Sequence, residues 1–219
     1  MIVYAVHTGG KYTPVEKSFR EIPDKKRGIY VNLTNRCNCA CTFCLRSKKD
    51  MAKDASLWLD KEPTVEEVKA ELDNLPWDKV SEIVFCGFGE PTLRLDALTE
   101  LLKYVKETHK DMPTRLNTNG LGELEHEREI AKDFENILDT VSISLNASNA
   151  KRYYELTNAK YGEKSFDAML TFAEHAKKYV PNVVLTVVEK VEDAEEIEKC
   201  RELCASRGLN LRVRVYEDK

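Results

Sequence analysis

Apolar and polar side chains alternate along residues 140–146, where Val141, Ile143 and Leu145 would share one face of a strand and Ser142, Ser144 and Asn146 the other. The split recurs along 28–34, with Val31 and Leu33 against Asn32 and Thr34, and along 114–119, with Leu116 against Arg115, Asn117 and Asn119. It returns along 209–216, with Leu211, Val213 and Val215 against Asn210, Arg212 and Arg214. With the β-rich runs at 81–86 and 183–188, these segments predict six strands. Apolar residues spaced by three and four predict helices over 64–75, 95–108, 127–134, 166–179 and 193–207, with Gly208 closing the last. Strand and helix alternate in regular order, the signature of βα units and a parallel sheet.

A parallel sheet covered on both faces would read as continuous apolar runs. Here most strands keep one polar face. If helices cover the apolar face, the polar one lines a wet, concave lumen, as in a partial (β/α)6 barrel holding a polar ligand. An antiparallel sheet with one face in solvent would also alternate, but the intervening helices are hard to reconcile with hairpins. Ahead of the first of these strands, a Gly9–Gly10 turn signal between alternating segments predicts an N-terminal β-hairpin. The expected organisation is therefore a hairpin extension over 1–27 and an α/β partial barrel over 28–219, within one structural domain. The charged stretch 123–133 reads as a solvated loop and helix face.

Composition narrows the setting. A content of 42% hydrophobic and 33% charged residues is that of a globular protein. A net charge of −4 argues against a general affinity for nucleic acid or anionic lipid. Residues 1–10 lack a basic segment followed by an apolar core, and no apolar run reaches eighteen, so a cytoplasmic location without membrane insertion is expected. In that setting seven cysteines read as reduced thiols, metal ligands or small buried side chains rather than a disulfide framework.

Four of them fall in "LTNRCNCACTFCLRS", directly after the first parallel strand: Cys37, Cys39, Cys41 and Cys44. Thiols this close bind a metal or cluster. A structural zinc site takes two separated pairs, and the only other pair is Cys200 and Cys204, four apart on the last helix. Cys37, Cys41 and Cys44 have the spacing C-x3-C-x2-C with Phe43 before the last. In this the sequence resembles the radical S-adenosylmethionine (SAM) superfamily, and in size and wording most the small TatD-linked radical SAM proteins. The resemblance implies a [4Fe–4S] cluster on three thiolates, with the fourth iron left open for the amino and carboxylate groups of SAM. Cys39 could in principle be a fourth ligand, and is read as a bystander because sharing a cubane in so tight a loop would strain it.

One βα unit later stands "FCGFGEPTLR". It resembles the family's Gly-Gly-Glu-Pro motif, with Phe88 where the first glycine of the pair usually falls. Gly87, Phe88 and Gly89 would bring backbone close to SAM, and Glu90 would offer a carboxylate to its ammonium. The same resemblance implies SAM contacts from Asn117, Ser144 and Asn146 at strand ends, from Val187 against adenine and from the Phe43 backbone. Arg115, Arg212 and Arg214 point into the predicted lumen and are expected to meet the SAM carboxylate or an anionic group of the substrate. His7, His109, His126 and His175 are scattered and receive no role, and Cys86 reads as core or lumen lining.

The implied reaction is reductive cleavage of SAM to methionine and a 5′-deoxyadenosyl radical that takes hydrogen from a substrate, with an electron donor such as flavodoxin or ferredoxin. The chain stops at its sixth predicted strand, so the barrel would be laterally open, which suits a peptide or protein loop. A small-molecule enzyme like the carboxy-deazaguanine synthases and a non-catalytic iron–sulfur or zinc protein are the competing readings.

Overall fold

The computed structural model describes residues 1–7, 10–48 and 56–216. Eight strands build one sheet: β1 (Val3–His7), β2 (Lys11–Pro14), β3 (Arg27–Val31), β4 (Val80–Phe85), β5 (Thr114–Thr118), β6 (Thr140–Ser144), β7 (Asn182–Val188) and β8 (Asn210–Arg214). Their order is β2-β1-β3-β4-β5-β6-β7-β8, parallel from β3 to β8, with β1 antiparallel to both β2 and β3. Among the described residues eight α-helices accompany it: α1 (Val15–Glu21), α2 (Leu45–Lys48), α3 (Val65–Asp73), α4 (Leu95–Thr108), α5 (Gly122–His126), α6 (Ala150–Thr157), α7 (Lys164–Ala176) and α8 (Ala194–Ser206).

The alternation has the predicted cause. Val31, Leu116, Val141, Ile143 and Leu185 are buried in one core with Leu98 and Leu101 of α4 and Met169 and Phe172 of α7. From the same strands Tyr30, Arg115, Asn117, Ser142, Ser144 and Thr186 turn the other way and line a cavity. That cavity is walled both by Tyr4 and Tyr12, from one end of the sheet order, and by Arg212 and Arg214, from the other. The sheet therefore curls on itself without closing, as a partial barrel does.

The structure differs from the sequence reading in the hairpin, in one expected helix and in several short helices. The hairpin forms, but β1 hydrogen-bonds along β3, so its strands extend the main sheet and place Tyr4 and Tyr12 in the cavity wall. Gly9 of its turn lies outside the described residues; Gly10 takes the left-handed φ of 71°. No helix spans 127–134: α5 ends at His126, Glu127 turns left-handed at φ 52°, and only a short 3₁₀ turn, Ala131–Phe134, follows. Ile130, Ala131 and Phe134 are buried by that turn, so the 123–133 stretch is solvated on its charged side chains alone. Finally, α1, α2, α5 and α6 were not expected; α6 is capped by Asn149, whose side chain accepts from the Arg152 amide, and ends at left-handed Asn158. Gly208, at φ 61°, closes α8 as predicted.

Asp139 ties β5 to β6 from the far end of the strands. Its Oδ2 accepts from Lys106 Nζ at 2.6 Å and from the Thr114 amide and hydroxyl at 2.7 and 3.0 Å. Burial pushes the carboxyl up, but Lys106 and the two Thr114 donors hold it net below its ordinary value. A depressed carboxylate adds stability above its unfolded pKa and loses it as pH falls through the folded one. Asp139→Asn is expected to lower stability by about 1 kcal/mol at neutral pH and to flatten the loss below about pH 4, read by urea unfolding across pH; an unchanged acid limb refutes it.

Candidate active site

Beyond β3 the chain runs from residue 32 to 44 without regular structure, so its shape depends on what fastens it. The amides of Ala40 and Thr42 donate to the carbonyls of Thr157 and Leu156 at 2.8 and 2.9 Å, which hangs the cysteine loop on the end of α6. Asn35 exchanges bonds of 2.7 and 3.1 Å with the Leu59 carbonyl and amide. On the third side the Glu90 amide donates to the Arg36 carbonyl at 2.8 Å.

Cys37, Cys41 and Cys44 are half-buried, and Cys44 lines the cavity beside Phe43. Cys39 is 5% exposed and packs into the apolar core. Its thiol lowers the neighbouring Cys37 and Cys41 by hydrogen bonding and is itself pushed far up by them. Burial raises Cys44. Asn119 Nδ2 lies 3.8 Å from Cys37 Sγ and 3.6 Å from Cys39 Sγ and donates to Asn38 Oδ1 at 2.6 Å.

The glycine loop presses against the cysteine loop. A Cβ on Gly89 would sit 2.3 Å from the Thr34 carbonyl oxygen and 2.4 Å from that of Arg36, and one on Gly87 2.0 Å from Asn32 Oδ1. Gly87 and Phe88 line the cavity, and Phe88 meets Tyr12 and Trp58 edge-on at 6.4 and 5.3 Å. Glu90 is held by groups of the fold itself. It is 3% exposed, and its Oε1 accepts from the Thr92 amide and hydroxyl at 3.1 and 2.8 Å and from the Thr118 hydroxyl at 2.7 Å, while Oε2 accepts from the Asn119 amide at 2.8 Å. Burial pushes this carboxyl up, against the pull of those four bonds. Its side chain welds the glycine loop to the end of β5, and through Asn119 to the thiols.

Of the other expected contacts, Asn117 and Ser144 line the cavity and Asn146 does not; it is buried at φ 63° with its amide on the Thr186 carbonyl. Val187 faces the wrong way for a side-chain contact, being fully buried against the helices, while Thr186 and Val188 face the lumen. Arg115, Arg212 and Arg214 all reach the cavity, but Arg115 is held by Glu82 through a two-pronged pair at 3.1 and 2.9 Å. Tyr4, Tyr12, Tyr30 and Arg46 also line the cavity and were not expected; the alternation of the hairpin was the signal for the first two. No histidine lines it, and Cys200 and Cys204 lie buried in the helical layer, their thiols pushed up to about 12 and about 11 by desolvation first.

Residues 31–204 match the Radical SAM superfamily, a span holding both loops and most of the sheet. The chain belongs to the radical SAM superfamily. Among curated radical SAM relatives, it is 31% identical over 214 residues to GTP 3′,8-cyclase of Corynebacterium glutamicum (strain R), covering 92% of this chain and 53% of that one. It is 37% identical over 150 residues to Fe-coproporphyrin III synthase of Methanosarcina barkeri, covering 67% and 33%. The chain thus spans about half or less of the length of these relatives. In fold it superposes on Streptococcus suis SuiB bound to its precursor peptide SuiA with a TM-score of 0.64 at 18% identity, covering 91% of this chain and 42% of that one.

Radical SAM proteins of these kinds are enzymes, and the family binds a [4Fe–4S] cluster and SAM. Among the described residues no three His, Cys, Asp or Glu side chains converge on a single ion. A cubane asks for something else, since each thiolate takes a different iron. Three half-buried thiols on one pinned loop, with Cys44 opening onto the cavity, suit it. So does the Tyr153 hydroxyl, a fully buried donor without a hydrogen-bond partner, which burial first and then the nearby thiols of Cys39, Cys41 and Cys37 bias toward its protonated form. Among the described residues no helix is long and apolar enough to cross a membrane.

Proposed function

We propose that Cys37, Cys41 and Cys44 hold the [4Fe–4S] cluster and that SAM occupies the adjoining end of the cavity, against Phe43, Gly87, Phe88, Asn117 and Ser144. The observation that carries the reading is that Cys44 and Phe43 open onto the same cavity of about 420 Å³ as the strand-end polar groups and the glycine loop. When bound, cluster and SAM supply reductive cleavage to methionine and a 5′-deoxyadenosyl radical that takes a hydrogen atom from the substrate. The protein's own part is placement and exclusion of water: Glu90 and Asn119 fix the two loops relative to each other, and the Tyr4, Tyr12 and Phe88 cluster seals the β1 side. The reductant is a flavodoxin or ferredoxin, and the setting is cytoplasmic.

A peptide or protein segment is the substrate this open cavity suits, and SuiB with its precursor peptide is a precedent on the same fold. A small-molecule substrate is the second reading, favoured by a volume within the range of small-ligand pockets. The deciding experiment is anaerobic reconstitution with iron and sulfide, reduction by dithionite and measurement of 5′-deoxyadenosine from added SAM. Formation of that nucleoside is expected; a colourless, zinc-containing protein that leaves SAM intact would falsify the reading.

A further inference from the structure

Among the described residues, the charged side chains lining the cavity are Arg46, Arg115, Arg212 and Arg214, with no aspartate or glutamate. Four guanidiniums around one lumen give it a positive field, and the exposed Arg212 and Arg214 keep theirs open to a ligand. Two are accounted for within the fold. Arg115 has the Glu82 carboxylate, and Arg46 spreads its guanidinium over the carbonyls of Asn35 and Cys39 at 3.4 Å each, as part of the cysteine loop.

Arg212 and Arg214 are different. They stand two apart on β8 and so share its cavity face. Arg212 donates to Ser142 Oγ at 3.1 Å, a neutral partner, and neither arginine has a carboxylate partner among the described residues. We infer that Arg212 and Arg214 form the binding site for an oxyanion, a phosphate or carboxylate carried by the substrate. This rests on the proposed SAM chemistry for its meaning but not for its test. Partial burial and the nearby charges of Arg115 and Arg214 hold Arg212 below its ordinary value, a repulsion that a bound oxyanion relieves. SAM is a poor candidate for this place. It carries a sulfonium, and the family resemblance places its one carboxylate at the cluster. Guanidinium pairs suit the planar, two-oxygen geometry of phosphate and carboxylate groups.

The test is isothermal titration of the reconstituted protein at physiological ionic strength, with saturating SAM, using inorganic pyrophosphate in one arm and the tripeptide Glu-Glu-Glu in the other. At least one should bind, and Arg212→Gln and Arg214→Gln should each weaken that binding by about tenfold or more. Arg207→Gln, an exposed arginine paired with Glu174, should bind as the parent does, and Arg214→Lys should retain part of the affinity, which separates lost charge from lost folding. Preference for pyrophosphate assigns a phosphorylated substrate, and preference for the tripeptide an acidic peptide. Binding of neither probe, equal binding by the parent and both Gln variants, or displacement of the probe by SAM overturns the site. If the parent forms no 5′-deoxyadenosine, the catalytic reading fails while the titration still decides the anion site.

Discussion

Cys37→Ala, Cys41→Ala and Cys44→Ala are each expected to leave the reconstituted protein without its brown cluster and with 5′-deoxyadenosine formation at background, whereas Cys39→Ala keeps both. The asymmetry follows from where the four thiols stand. A cubane with one iron open for SAM takes three protein thiolates, and losing any of them leaves two, too few to hold it. Cys44 opens onto the cavity, while Cys39 is 5% exposed and packs among apolar side chains as a small hydrophobe would. Removing the Cys39 side chain should therefore appear as lost packing, about 1–2 kcal/mol. Iron per chain and the electron paramagnetic resonance of the reduced protein, with and without SAM, check this. A Cys39→Ala protein that loads no iron would make Cys39 a ligand, and a parent spectrum indifferent to SAM would mean that no iron is open to it.

Much of this arrangement could be read in the chain because the barrel imposes its two environments on every strand. Helices on one side and a wet lumen on the other make Val141 and Ile143 differ from Ser142 and Ser144 in a way that local sequence displays. The same parity already placed Val187 with the helices: Thr186 and Val188 are the lumen pair, and reading Val187 as an adenine contact went against the rule used elsewhere. Other features lie beyond local pattern. Arg115 looked like a free cation because its partner, Glu82, lies 33 residues away on the neighbouring strand. Glu90 looked like a ligand for an ammonium because its four donors come from Thr92, Thr118 and Asn119, two of them beyond a whole βα unit. The helix expected over 127–134 failed because Ile130, Ala131 and Phe134 have helical spacing but only one 3₁₀ turn of chain to express it. Short α6 was missed, although the Asn149 and Asn158 caps bracket it, and it is the element from which the cysteine loop hangs.

The second large effect is expected from one methyl group. Gly89→Ala should lower stability by about 3 kcal/mol, at the upper end for overpacking, and should abolish stable cluster loading. The added Cβ would lie 2.3 and 2.4 Å from the carbonyl oxygens of Thr34 and Arg36 and 2.8 Å from the Thr34 carbonyl carbon. All three are backbone atoms, so no rotamer change makes room; the glycine loop and the cysteine loop must part. Parting them stretches the 2.8 Å bond from the Glu90 amide to the Arg36 carbonyl and pulls on the buried Glu90 carboxylate that holds Asn119 beside Cys37 and Cys39. Gly162→Ala is the matching control. Its Cβ would meet nothing within 4 Å, but its φ of +68° is unfavourable for alanine, so it should cost about 1 kcal/mol and leave cluster loading intact. Comparing melting temperature and iron content of the two variants separates backbone strain from steric contact between the loops. A Gly89→Ala protein that melts with the parent and takes up a full complement of iron would show that the loops need not touch for the thiols to be placed.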